Sequence, residues 1–531
     1  MAFYRDFNKS DSVAYNIAEA LRYCKENRET SLVFDKNEYH LNRALATEAF
    51  YSVSNHGDPA LKRIAFLLRD MKDFTIDGSG SHFILDDILN PVVIDACENV
   101  TVRNMSFSSV DTQNAETEVV ASGDNWFFAK VRDEKPFYIL DGELYFGDRS
   151  THSARAVIFD VIDGKTLNYR QNCADIGLSP EGADPVFTKT ADGLLYGRGN
   201  WGKIPEGSFL LFLTQTRCSA GLFLKDSVNT KVQNVTFYSG IGMGVIAQNC
   251  DGVELDRFNV RNPEGRHYSI NADATHFVHC RGRIHIHDCF FEGQLDDALN
   301  VHSIYLSIVE KRENSILVRY CHPESLGIDI VRPGCVVETC PPDSLIPTGK
   351  TYHITEARCL NLEYTELFFR EGVEDFRVGD NINEISFVCD ILFEKNTVRN
   401  NRARGMLLAG NGKTIIRDNI FHTPGPAILF ESNGDYWFEA GGVKDVEIYR
   451  NEFTECLFSG WGEAVIWGLP RKKTEAGKYY HGRIAVYENR FTRCSGLPVW
   501  MNSVREFVCQ NNTFDACESD EVRCEHCNGK E

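Results

Sequence analysis

One short phrase returns along most of this 531-residue chain: an Asn or Asp, a short step, then Phe or another large apolar residue, inside stretches that read as strands. It stands at Asn104 (NMSF), Asn234 (NVTF), Asp256 (DRFNV), Asp288 (DCFF), Asn396 (NTV), Asn419 (NIF), Asn451 (NEF), Asn489 (NRF) and Asn511 (NNTF). Asn234 to Asp256 is 22 residues, Asn396 to Asn419 is 23, and Asn489 to Asn511 is 22, while the longer steps of 32 and 38 are one period plus a loop. A period in the low twenties made of short strands, Asn and aromatic residues predicts a solenoid of parallel β-coils, in which each coil buries its apolar side only against its neighbours. Leucine-rich repeats share the period but need a leucine lattice, which the chain lacks.

Two stretches break the period and divide the chain. Residues 1–114 form an N-terminal cap and the first coils, and 115–215 an inserted β module with FYILDGELYF and AVIFDVIDGKTLNY as Asp-Gly hairpins. Residues 216–302 return to the coils, 303–385 form a second inserted module opening with the hairpin LSIVEKRENSILVRY, and 386–531 are C-terminal coils and tail. Near the N-terminus Val13, Ile17, Leu21 and Cys24 make a helical stripe that could cover the open end of the solenoid.

Composition excludes some partners. With 56 basic against 76 acidic residues the net charge is −20, which repels phosphate backbones and anionic lipid, so neither nucleic acid nor a membrane is an expected partner. No run of 18 apolar residues and no signal-peptide core is present; the expected location is cytoplasmic, or secreted or periplasmic if a leader was removed. Most of the 18 cysteines sit singly in strand-like runs, as Cys250, Cys280, Cys289 and Cys389 do, and read as buried thiols. Cys524 and Cys527, with Cys517 and His526 nearby, make only half a zinc site.

The chemistry concentrates in EGQLDDALNVHS, residues 292–303. Strand alternation puts Asp297 with Leu295, Leu299 and Val301, so either the chain bends at the pair or Asp297 is a buried carboxyl with a perturbed pKa. Asp273, in HYSINADATHF, lies 23 residues before Asp296 and 24 before Asp297, which is one coil. Three carboxylates stacked on adjacent coils repel, and the repulsion keeps one protonated beside an ionised one, the arrangement that glycoside hydrolysis needs. Turn-capping aspartates and a Ca²⁺ site are the plainer alternatives, though few further carboxylates lie close by in sequence. His285 and His287 read as satisfied or solvent-facing, whereas His302 shares the Asp296 face by parity. The loop FESNGDYWFEAGG offers Glu431, Tyr436, Trp437 and Glu439, the mix of aromatic face and carboxylate that suits a sugar.

The arrangement NADATHF…DDALNVH over 271–302 resembles the signature of glycoside hydrolase family 110, the α-1,3-galactosidases, and SNHGDPALKRIAF, FTIDGSGSHFI, GIGMGVIAQNC and DYWFEAGGVKDVEIYRNEF agree with it. The resemblance implies an all-β fold, a right-handed parallel β-helix with inserted small antiparallel β-barrel modules. It also implies inversion at the anomeric carbon, no metal or organic cofactor, and catalytic aspartates at Asp273, Asp296 and Asp297. Leu299 and Ser303 stand where the commoner form of the motif has Thr and Gly. The expected partner is a galactose-terminated oligosaccharide or polysaccharide, with monomer and homodimer both open. Asp296 is the expected acid, with Asp273 and Asp297 sharing the water as base, and Arg266, Asn271, His302, Glu431 and Trp437 are the expected sugar contacts. A β-helix hydrolase or lyase acting on uronic acids, with Arg266, Arg281 and Arg283 as the nearby basic residues, and a non-catalytic glycan-binding solenoid are the rival readings.

Overall fold

The computed structural model describes residues 1–530 apart from 58, 150–152, 179–184, 215 and 432. Two long parallel sheets run through it, the signature of a β-helix in which successive coils add one strand to each sheet. The coils resume in register after each insertion: Val232 pairs with Val102 across the first, and Leu299 pairs with Met406 across the second.

Two ladders explain the repeated phrase. Phe107, Phe237, Phe258, Phe291, Phe393, Phe421, Phe453, Phe491 and Phe514 stack along the interior with neighbouring ring centroids 4.7–6.4 Å apart. The asparagines form the second. Asn396, Asn419, Asn451 and Asn489 are buried; Asn396 accepts through Oδ1 from the backbone N–H of Cys289, and each of the other three from the backbone N–H of the Asn one coil before, as in Asn419 to Asn451 at 3.0 Å. Each also donates from Nδ2 to a backbone carbonyl, so turns buried between coils have their polar groups satisfied. The last rung is Asn512, not Asn511, and Asn104 with Asn234 makes a separate surface pair at left-handed backbone positions.

The helix Val13–Glu26, capped by Ser12, lays Ala14, Ile17, Ala20, Leu21 and Cys24 against the first coil, with Leu32, Phe34 and Leu68 in the same core. In the first insertion the described strands pair as a seven-stranded antiparallel sheet and a three-stranded sheet over one core. FYILDGELYF is a hairpin with Asp141 and Gly142 both at positive φ, as a two-residue turn requires. AVIFDVIDGKTLNY turns back at Asp163, which accepts from the N–H groups of Lys165 and Thr166, but its return is one antiparallel bridge, Ile162 with Tyr169, and Ile158–Ile162 pairs over its length with Phe209–Leu213. The second insertion closes into a six-stranded barrel opened by the predicted hairpin and filled by Ile308, Val318, Val337, Leu367 and Ile382. All eighteen cysteines are free thiols, and those of the tail are absent from the side-chain groups that converge closely enough to hold a metal among the described residues.

Removing one Asn rung should be costly for its size. Asn451→Ala leaves a buried N–H and a buried carbonyl unpaired, and is expected to destabilise by about 1–3 kcal/mol, against less than about 0.5 kcal/mol for exposed Glu452→Gln next to it, in paired melting experiments.

Candidate active site

The strands Thr275–Val278, Leu299–Ile304, Met406–Leu408 and Ile428–Glu431 lie side by side in one sheet. Alternation turns Phe277, Leu299 and Val301 into the core, and His276, Asn300 and His302 outward. That outward face is covered by the returning end of the first insertion, by the barrel, and by the loop that follows Glu431. A cleft of about 580 Å³, including its open mouth, remains between them.

Asp273, Asp296 and Asp297 precede their strands, in bends. The register of Thr275 with Leu299 stacks Asp273 on Asp297, whose N–H donates to Asp273 Oδ1 at 3.2 Å. Asp296, one residue earlier, is thrown sideways into the cleft. One carboxylate oxygen from each of the three lies within 4.8 Å of the others. Both outcomes expected for the Asp pair occur: the chain bends, and Asp297 is fully buried with its pKa pushed well above the usual carboxylate range by burial.

Two arginines far away in sequence supply the counter-charge. Arg404 donates from Nε to Asp297 Oδ1 at 2.8 Å and from Nη2 to Asp297 Oδ2 at 3.0 Å, and stands 3.5 Å from Asp296. Arg217 donates to Asp296 Oδ2 at 3.0 Å. Gly405 makes the approach of Arg404 possible, because a Cβ there would lie 2.5 Å from the Ala427 carbonyl oxygen. Burial works against ionisation of Asp296, but Arg404 and Arg217 outweigh it and hold its carboxyl below the ordinary range. Asp273 goes the other way: burial, reinforced by the charge of Asp296, pushes its pKa well up. Within one cleft the surroundings therefore push the pKa values of two neighbouring carboxyls apart, Asp273 upward and Asp296 downward.

Asp273, Asp296, His302, Glu431 and Trp437 line the cleft as the sequence suggests. Asp297 does not, being behind the wall and engaged by Arg404. Arg266 and Asn271 do not reach it either. Arg266 pairs with Asp133 and, at 3.7 Å, with Glu116, while Asn271 ties the coil to the insertion through Thr112, Thr216 and Asn114. Glu431 pairs with Arg471, yet burial raises its pKa. Trp437 is half-buried and rests 4.5 Å from the His322 ring. Leu299 faces the core, so its departure from the family motif does not touch the cleft. His285 and His287 stack on each other in the other sheet, paired to Glu394 and to Glu254 with Asp288.

Sequence reasoning missed Asn55, Arg217, Asn300, Arg404 and Asn433, which also line the cleft, and left Glu439 without a role. Asn300 had a signal, the parity shared with Asp296 and His302, and its buried Oδ1 has no partner. The two arginines had none. Arg404→Ala should leave both buried oxygens of Asp297 without their donors and destabilise the protein by about 1–3 kcal/mol in denaturant unfolding.

Comparison with known proteins agrees with the fold. A family model described as "Right handed beta helix region" matches residues 381–530. The chain is 30% identical over 492 residues to α-1,3-galactosidase A of Shewanella woodyi, covering 91% of this chain and 80% of that one. It is 30% identical over 539 residues to α-1,3-galactosidase B of Bacteroides fragilis, covering 96% and 89%. Among solved structures, the A-module of an Azotobacter vinelandii mannuronan C-5 epimerase overlays over 100% of both chains with a TM-score of 0.41 at 10% identity. With relatives at this identity over most of both lengths, the chain is a glycoside hydrolase and belongs to glycoside hydrolase family 110, the α-1,3-galactosidases.

Proposed function

We propose that the protein is an exo-acting α-1,3-galactosidase that removes a terminal α-1,3-linked galactose from an oligosaccharide or polysaccharide with inversion. The observation that carries the reading is the pair of carboxyls in one cleft whose surroundings push their pKa values apart, Asp273 upward by burial and Asp296 downward by its two arginines. Asp273 protonates the leaving glycosidic oxygen, and Asp296 takes a proton from the attacking water. This reverses the division expected from sequence. Asp297 positions Arg404 and stays out of the chemistry.

Inversion is favoured because Asp296 is held by a guanidinium on each oxygen. Such a carboxylate is a weakened nucleophile but can still take a proton from water. The oxygens of Asp273 and Asp296 lie within 4.8 Å, a closeness that would also suit a nucleophile, so the first-formed anomer decides between the two. The exo reading is supported by the small size of the cleft, about 580 Å³ with its mouth, which the loop carrying Trp437 and Glu439 lines together with Asn55. Asn300 Oδ1 offers an unused acceptor for a sugar hydroxyl. Against a uronate lyase, whose base would be an arginine beside the aspartates, Arg404 is kept protonated by Asp297 and Asp296, and Arg217 is engaged by the Asp296 carboxylate.

On a Galα1-3Gal substrate, Asp273→Asn and Asp296→Asn should each cut kcat by about a hundred- to ten-thousand-fold. NMR of the first-formed galactose should show the β-anomer, and the α-anomer first would overturn inversion. The pH profile should be a bell. Activity rises as pH climbs through the depressed pKa of Asp296, below its ordinary 3.8, and falls as pH climbs through the raised pKa of Asp273, above that value. A profile still rising above neutrality would contradict the assignment.

A further inference from the structure

The parallel sheet that does not carry the cleft holds a second cluster of side chains with chemistry to offer. Its strand Arg281–His287 runs beside Asp251–Val260 in a register that sets His285 next to Glu254 and His287 next to Asp256. Alternation sends Ile284 and Ile286 into the core and both histidines to the outer face. Their rings stack with centroids 4.2 Å apart, and one ligand atom from each of Glu254, His285 and His287 lies within 4.8 Å of the other two. All three side chains are half-buried.

The remaining contacts of the two rings are those of metal-bound histidines, which commonly give their second nitrogen to a carboxylate. His285 Nε2 meets Glu394 Oε1 at 3.0 Å, and His287 Nδ1 meets Asp288 Oδ2 at 2.8 Å. An ionised carboxylate only accepts, so a hydrogen on each of these nitrogens makes the contact, and His285 Nδ1 and His287 Nε2 are then the atoms left to bind. His287 Nε2 stands 3.3 Å from Glu254 Oε1, so this ring faces a carboxylate from both nitrogens. A neutral imidazole has one hydrogen to give. A cation therefore belongs between His287 and Glu254, either a second proton on the ring or a metal ion that both hold.

We infer that Glu254, His285 and His287 bind a divalent transition-metal ion of the Zn²⁺ type, outside the active site and without a part in its chemistry. Two imidazoles and one carboxylate suit such an ion, which takes nitrogen and oxygen at about 2.0–2.2 Å in a tetrahedron and accepts water as a fourth ligand. Ca²⁺ and Mg²⁺ take oxygen ligands and do not fit this set. On one tetrahedral ion the ligand atoms stand about 3.4 Å apart, a closure that half-buried side chains reach by small rotations. Asp288 and Glu394 orient the two rings from outside. Lys231 Nζ donates to the same Glu254 Oε1 at 2.8 Å and competes with the ion; Asp256 Oδ2, 4.0 Å from Nζ, is the partner it turns to when the ion binds. The ion joins the coil of Glu254 to the next coil, and by binding the folded chain alone it stabilises their register.

The test is titration of the chelator-stripped, tag-free protein with Zn²⁺ in a calorimeter, and with Co²⁺ as an optical probe. One site is expected, with the visible d–d bands of tetrahedral Co²⁺, no sulfur-to-cobalt charge-transfer band, and a melting temperature raised by Zn²⁺. His285→Ala and His287→Ala should each weaken Zn²⁺ binding more than about a hundredfold and Asp288→Asn about tenfold, whereas Lys231→Met should strengthen it. Uptake that survives both histidine variants, or that shows the sulfur band expected of Cys524 and Cys527, puts the metal elsewhere and overturns the site. No uptake at all overturns it too, and leaves a proton on His287 as the cation. If a histidine variant does not fold, Glu254→Gln on the same outer face decides in its place, with the same loss expected.

Discussion

Arg404 brings one guanidinium between two carboxylates that the chain places next to each other, and the rest of the site depends on that contact. An unpaired Asp297 inside the wall would cost several kcal/mol or take up a proton, and the bend that separates it from Asp296 would lose its anchor. With Arg404 in place, Asp297 is tied down on both oxygens, Asp296 is free to face the cleft, and its negative charge is held there. That fixed charge in turn helps to keep Asp273 neutral. A single arginine therefore helps to set apart the pKa values of the two carboxyls that face the cleft.

The solenoid makes this contact repeatable. Parallel register between coils puts Asp273 over Asp297 and His276 within reach of His302, and a slip of one residue would turn every one of these side chains into the aliphatic core. The Phe and Asn ladders hold the register by filling and satisfying the interior on every turn. Water is excluded by what is laid on the outer face: the end of the first insertion delivers Arg217, the barrel rests on Val278 and Ile304, and the loop after Glu431 brings Trp437 and Glu439. The low-dielectric surroundings that separate the two pKa values come from these covering pieces, because a bare β-helix face would be wet.

The repeat was legible in the sequence because its cause is local. Each coil must bury a Phe and satisfy an Asn, so the residues recur at the coil period, and the period placed the three aspartates together. Side chains fixed by local alternation, such as His302, could be assigned to the right face. What was not legible came from packing across long separations. Arg404 reaches Asp297 and Arg217 reaches Asp296 only after an insertion has folded and returned, and nothing within a coil's length of the aspartates marks either one. Arg266 and Asn271 show the opposite error: nearness in sequence to Asp273 suggested the cleft, but the coil turns away there and spends both on joining the first insertion to the solenoid. The proposed division of acid and base departs from the sequence expectation for the same reason, since it is the two distant arginines that hold the Asp296 carboxyl below its ordinary range.

The central claim is that Asp273 holds a proton at neutral pH while Asp296 beside it does not. Infrared difference spectroscopy between the wild-type protein and Asp273→Asn reads this directly. The account predicts a carboxylic-acid C=O band at neutral pH that is present in the wild type and missing from the variant, with no carboxylate band lost at that site. A difference spectrum that shows the loss of a carboxylate band and no carboxylic-acid band would mean that Asp273 is ionised, and would contradict the account.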